Sequence, residues 1–102
     1  MKILGITACT AGVAHTYMAQ DAIIQEAKRR GFDVKVETQG MMGIENEIEP
    51  EDIEDAQLLI VAADIGVENI DRFEDLPTYE CGTNDVIGHI GEIFDKALEL
   101  VK

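Results

Sequence analysis

Tryptophan is absent from this chain, and proline and cysteine occur only twice each. Cys9 and Cys81 are too few for a disulfide framework and too far apart in sequence for a zinc pattern. No metal and no cofactor is therefore expected. Basic residues are scarce as well: eight Lys and Arg stand against 21 Asp and Glu, for a formal net charge of −13. Such a surface repels nucleic-acid backbones and anionic lipid headgroups, both of which require clustered positive charge. No window approaches the roughly 18 consecutive apolar residues of a membrane helix. A signal-peptide architecture is also missing. These absences predict a soluble, cytoplasmic protein that neither binds nucleic acid nor inserts directly into a membrane.

What is present is enough for one domain spanning 1–102, since 46% of 102 residues are hydrophobic and the length is near the common domain size. Ile3–Thr7 reads as a buried strand. From Val13 to Arg30 the pattern is helical, with Ala19, Ala22, Ile23 and Ala27 on one face and Gly31 as the stop. Lys28, Arg29 and Arg30 suit the last turn, where cations complement the helix dipole. Val34–Thr38 alternates as a strand, Gly40–Pro50 reads as a loop, and Pro50–Ala56 as a short acidic helix. Leu58–Ala63 is the most apolar run and the expected central strand. A connection through Val67–Phe73 leads to a strand at Pro77–Glu80. Thr83 is then expected to cap a last helix burying Val86, Ile90, Ile93, Phe94, Ala97 and Val101. Strands alternating with helices imply an α/β fold with right-handed crossovers. The expected product is a single doubly wound domain: a four-stranded parallel sheet in order 2-1-3-4, with helices on both faces.

Ligands of such sheets sit beyond the carboxyl ends of the strands, at the switch point beside the first strand. Cys9 falls there. The residues after it, Thr10, Ala11, Gly12, Val13 and Ala14, are small and uncharged. Their backbone N–H groups, feeding a helix N-terminus, can form an anion cradle. The same field favours a thiolate, and a nucleophile inside an anion cradle suggests attack on phosphorus. His15 and Thr16 complete the candidate phosphate-binding loop. A small buried cysteine closing a strand would look similar, and a non-catalytic anion-binding module also fits. A cysteine phosphatase would need C-x5-R, with the arginine clasping phosphate. Here TAGVAH follows Cys9, so histidine stands in the arginine's place, and no Asp-Pro pair supplies a remote acid.

The stretches ACTAGVAHTYMA (8–19), VETQGMMGIENE (36–47), EDI (51–53), AADIGV (62–67) and DRF (71–73) resemble, in order, the fructose-specific IIB domains of the bacterial phosphoenolpyruvate-dependent sugar phosphotransferase system. The family commonly has Cys-Pro-Thr-Gly where this chain has Cys-Thr-Ala-Gly (9–12), so cysteine and glycine are in place and the proline is not. Residues 77–102 match least. The resemblance implies a phosphocysteine relay at Cys9. Phosphate would come from a phosphohistidine of a IIA domain and pass to fructose, or a similar sugar, bound by a membrane IIC domain. The product for this subtype would be fructose 1-phosphate, made by a domain held at the inner face of the membrane through IIC and monomeric in isolation.

Other residues have candidate roles. Asp64, ending the central strand, would cap the next segment or orient another side chain. Met41 and Met42, between two glycines, suit a partner-facing surface. Arg72 is expected to pair with Asp71 or Glu74, and His89 to be solvated. Cys81 is expected at the same sheet edge as Cys9 but roughly 10 Å away, beyond the reach of a disulfide.

Overall fold

The computed structural model describes residues 1–9, 13–40 and 43–101. Five strands form one sheet: β1 (Lys2–Ala8), β2 (Asp33–Gly40), β3 (Gly43–Glu45), β4 (Leu58–Ala63) and β5 (Thr78–Cys81). Three α-helices accompany them, α1 (Val13–Arg29), α2 (Pro50–Asp55) and α3 (Thr83–Leu98), with short 3-10 turns at Ile70–Phe73 and Glu99–Val101. The sheet order is β3-β2-β1-β4-β5. β2, β1, β4 and β5 run parallel in the expected order. The expectation of a purely parallel, four-stranded sheet is corrected by β3, which pairs antiparallel with β2 and sets Gly40 opposite Gly43. Three residues are too few to show a strand period, and Gly43, at φ +90°, takes a backbone shape that side chains disfavour.

Alternation along the central strands divides the core into two layers. Ile3, Val36, Leu58, Ile60 and Ala62 pack against Ala19, Ile23 and Ala27 of α1 and Val86, Ile93, Phe94 and Ala97 of α3. Leu4, Ile6, Leu59 and Val61 face the other way, against Ile48, Phe73, Ile53 of α2 and Leu76. Gly5 lets α1 approach closely, since a Cβ there would lie 3.1 Å from Val36 and 3.4 Å from Ile23. Glu26 is buried near the end of α1 and binds Arg29 and Arg30, and Arg30 continues to Asp95 of α3 at 3.0 Å. The basic cluster thus ties two helices together.

Two expectations for the last helix are revised. Gly82, not Thr83, occupies the cap position, and its N–H donates to Asp85 at 3.1 Å. The helix is also broken at His89 (φ −139°, ψ 41°), where Gly88 and Gly91 lower helix propensity. The Gly91 carbonyl near this break accepts a hydrogen bond from Arg30 at 3.2 Å. His89 is exposed, as expected.

The acidic side chain of Glu37 is fully buried within β2. Arg72 supplies its countercharge, with Nη2 2.8 and 2.7 Å from the two carboxylate oxygens. The expected pairing of Arg72 with Asp71 or Glu74 is therefore replaced by a long-range one. Gln39 Nε2 and the Ile48 N–H also donate to Glu37, at 2.6 and 2.9 Å. Arg72 further donates to the Ile48 and Asn69 carbonyls and lies over the Phe73 ring. Gln39 in turn holds both backbone groups of Glu68. A buried charge is tolerated only when paired and hydrogen-bonded in this way. The network pins the segment after β4 against β2.

Candidate functional site

The site lies at the carboxyl end of the parallel strands, as the topology requires. Cys9 follows β1 directly and is 2% exposed. α1 starts at Val13, and its second residue-pair brings His15 over the thiol: Nδ1 lies 3.3 Å from Cys9 Sγ. From the other side Asp64, the residue after β4, places Oδ2 3.2 Å from the same sulfur, which donates to it. The register explains this convergence, because β1 and β4 pair side by side with Ala8 opposite Ala63.

Asp64 is itself held from beyond β5. The Thr83 N–H donates to Oδ1 at 3.1 Å and the Thr83 hydroxyl to Oδ2 at 2.5 Å. The Thr83 hydroxyl bond holds the Asp64 carboxyl below the usual carboxylate range, with lesser help from Cys9 and against the opposing effect of burial. Asp64 thus anchors the start of α3, not the segment that directly follows it, and contacts the Cys9 side chain as well. The Thr83 oxygen also lies 3.2 Å from His15 Nδ1, and Asn84 Oδ1 lies 2.9 Å from His15 Nε2. Since Asn84 Oδ1 can only accept, the His15 Nε2–H donates to it, which turns Nδ1 toward Cys9.

Thr16 is buried in α1. Its carbonyl accepts from the Thr7 hydroxyl at 3.3 Å, while its own Oγ1 has no hydrogen-bond partner among the described residues. A Cβ on Gly40 would come within 3.8 Å of both this hydroxyl and the Cys9 carbonyl, so β2 closes that side. Ala14 is exposed at the start of α1. Thr10, Ala11, Gly12, Met41 and Met42 lie outside the described residues, as does the side chain of Val13.

Cys81 stands at the end of β5, opposite Ala62, so that β4 separates it from β1. It makes no disulfide. Burial, with Asp85 and Asp64 nearby, pushes its thiol up to about 11. Sequence reasoning missed Thr83 as an Asp64 partner and Asn84 altogether. The signal available was topological: the strand after β4 must deliver the next helix to the same edge.

Compared with known proteins, residues 4–96 match the family described as "PTS system, Lactose/Cellobiose specific IIB subunit". The chain belongs to this IIB family. Among its relatives is the PTS system fructose-like EIIB component 2 of Escherichia coli K12, 42% identical over 95 residues, covering 93% of this chain and 90% of that protein. The fructose-specific EIIB'BC component of the same organism is 45% identical over 97 residues, covering 95% of this chain and 17% of that longer protein. A crystal structure of a domain of the fructose-specific IIABC component of Borrelia burgdorferi superposes with a TM-score of 0.91 at 40% identity, covering 96% of this chain and 93% of that domain. The resemblance read from the motifs is thus borne out, and the relatives resolve the subtype more finely than the family description does. As a IIB domain, the chain is a phosphoryl-transfer component of the sugar phosphotransferase system. Among the described residues, no helix is long and apolar enough to cross a membrane.

Proposed function

We propose that Cys9 is the phosphoryl acceptor of this IIB domain, taking phosphate from a phosphohistidine of a IIA domain. The group then passes to fructose, or a similar sugar, presented by a membrane IIC domain, with the IIB domain working at the inner face of the membrane. The contact that carries the reading is Cys9 Sγ against His15 Nδ1 at 3.3 Å: a nucleophile at a strand end with a base turned toward it. In the first transfer the sulfur attacks phosphorus, the S–P bond forms and the P–N bond of the donor breaks. The thiol proton leaves its hydrogen bond to Asp64 Oδ2 for His15 Nδ1, leaving an imidazolium beside the new thiophosphate. In the second, a sugar hydroxyl oxygen attacks phosphorus and its proton leaves on the acceptor side. The S–P bond then breaks, and the sulfur departs as a thiolate next to that imidazolium.

The buried Thr16 hydroxyl supports the same reading. Among the described residues it has no hydrogen-bond partner, and a phosphate oxygen would supply one. The sequence-derived loop Thr10–Ala14 would add the backbone donors. Ile65 and Ile70, exposed beyond β4, and Tyr17 and Met18 on α1 leave apolar side chains for a partner domain to cover, a role the sequence also suggests for Met41 and Met42. Asp64, a fixed anion at the sulfur, disfavours long retention of a phosphoryl dianion. That suits a carrier better than a store.

The test is incubation with phosphoenolpyruvate, the general phosphotransferase proteins and a IIA domain, followed by intact mass and acid/base lability. One adduct is expected on wild type and on Cys81→Ser, and none on Cys9→Ser. Phosphate on His15 or His89 would overturn the assignment. Steady release of inorganic phosphate would indicate a phosphatase.

A further inference from the structure

The geometry points to a second ligand for this site: a thiophilic divalent cation of the zinc class, coordinated by Cys9 Sγ, His15 Nδ1 and Asp64 Oδ2. The sequence gives no sign of it, because positions 9, 15 and 64 have no metal-ligand spacing. β1, α1 and the residue after β4 bring the three ligand atoms within 4.8 Å of one another.

Two of their three separations are close to those of a metal site. The sulfur lies 3.3 Å from the imidazole nitrogen and 3.2 Å from the carboxylate oxygen. With Zn–S near 2.3 Å and Zn–N or Zn–O near 2.0–2.1 Å, a tetrahedral site sets sulfur about 3.5 Å from either ligand. Opening these two edges by about 0.2–0.3 Å would bring them to such values, and the third edge, imidazole nitrogen to carboxylate oxygen, lies within 4.8 Å. The donor set is selective as well: a thiolate and an imidazole suit zinc, cadmium or cobalt and not magnesium or calcium.

The surrounding hydrogen bonds are those that orient metal ligands. Asn84 Oδ1 fixes the imidazole with Nδ1 facing inward, 2.9 Å from Nε2. The Thr83 N–H and hydroxyl hold the Asp64 carboxylate at 3.1 and 2.5 Å. Cys9 is buried, while His15 is half-buried and Asp64 exposed, so the ion has an approach from solvent and room for water as a fourth ligand. On binding, the Cys9 S–H bond breaks, its proton passes to solvent and a sulfur–metal bond forms. Imidazole and carboxylate donate lone pairs without losing protons. A metal held on this sulfur takes up part of its charge and fills the space between it, His15 and Asp64 that a phosphoryl group would enter. Metal and phosphoryl group therefore exclude each other, a consequence that rests on the reading of Cys9 as acceptor, whereas metal binding rests on the geometry alone.

Titration of the purified domain with Co2+ tests the site, because a cobalt thiolate shows sulfur-to-metal charge-transfer absorption and tetrahedral visible bands. One equivalent of Co2+ should produce both, release one proton, and be displaced by Zn2+ but not by Mg2+. Zn2+ should also protect wild-type Cys9 from alkylation, a measurement that needs no variant. Asp64→Asn and His15→Ala should each weaken binding roughly tenfold or more, and Asn84→Ala by roughly 10–100-fold. Cys81→Ser should bind unchanged. Absence of the cobalt–thiolate bands, affinity unaltered in both Asp64→Asn and His15→Ala, or loss of binding in Cys81→Ser would overturn the proposal. Phosphorylation assayed separately keeps the two ideas apart: bands without a phosphoadduct sink the carrier role alone, and a phosphoadduct without bands sinks the metal site alone.

Discussion

Arg72 reaches across from the turn after β4 and sets Nη2 2.8 and 2.7 Å from the two carboxylate oxygens of Glu37, a side chain with no exposed surface. Removing one partner would strand a buried charge. Arg72→Ala should therefore cost about 3–5 kcal/mol in urea unfolding. A double change to apolar residues of similar volume, Glu37→Met with Arg72→Met, should cost less than Arg72→Ala alone. Equal losses would show that packing, not charge compensation, gives Arg72 its value.

At the site, Asp64 puts a fixed negative charge against the Cys9 sulfur. Replacing it by Asn keeps the shape and removes the repulsion toward a thiophosphate. The phosphorylated form of Asp64→Asn should then accumulate about tenfold more at equilibrium with the donor, a modest share of the Coulomb energy of charges about 4 Å apart. Quantitative mass spectrometry of a donor–acceptor mixture measures it. Accumulation equal to or below wild type would assign Asp64 a supporting role in the phosphorylated state instead.

Acid should unfold the protein over a definite window. Asp64 and Asp52 have folded values below their ordinary 3.8, through the Thr83 hydroxyl for Asp64 and chiefly through Lys35 for Asp52. Groups lowered on folding stabilise the protein fully above their unfolded value and lose that contribution as pH falls through the folded one. Stability attributable to these pairs should be flat from pH 7 to about 5 and decline below about 4. Asp52→Asn should reduce the acid slope of urea midpoints, and an unchanged slope would contradict this.

Cys81 should be a poor nucleophile. With its thiol pushed up to about 11 by burial and by Asp85 and Asp64, little thiolate is available near neutrality. Peptide mapping after iodoacetamide should show Cys81 modification rising steeply with pH up to that value. Ready labelling at pH 7 would show a more open β5 end.

The periodic parts of the fold were legible in the sequence. Leu58–Ala63 was placed to the residue, and the apolar faces of α1 and α3 follow from residues such as Ile23 and Phe94 that recur at helical spacing. β3 was not legible, since three residues carry no period, and neither was the break at His89. The proposed nucleophile was legible from Cys9 at a strand end before small residues, and the neighbouring histidine from the short spacing to His15. Its more distant partners were not. Thr83 and Asn84 reach the site only through the register of β5 against β4, and Arg72 finds Glu37 only through the turn that follows β4. Local pattern shows which elements form, whereas contacts across many residues depend on the packed arrangement of those elements.

Both borders of the sheet are short, three residues in β3 and four in β5. An unpaired strand edge is a template on which another chain can add, and brevity is one of the ways that sheets discourage it. Here β3 also pairs with the last three of the eight residues of β2, which shortens the ladder open to a neighbouring molecule. Together with a net charge of −13, this makes strand-by-strand aggregation unfavourable even at high concentration. A component of a phosphotransferase system can thus leave the carboxyl ends of its parallel strands open without gluing itself to copies of its own kind.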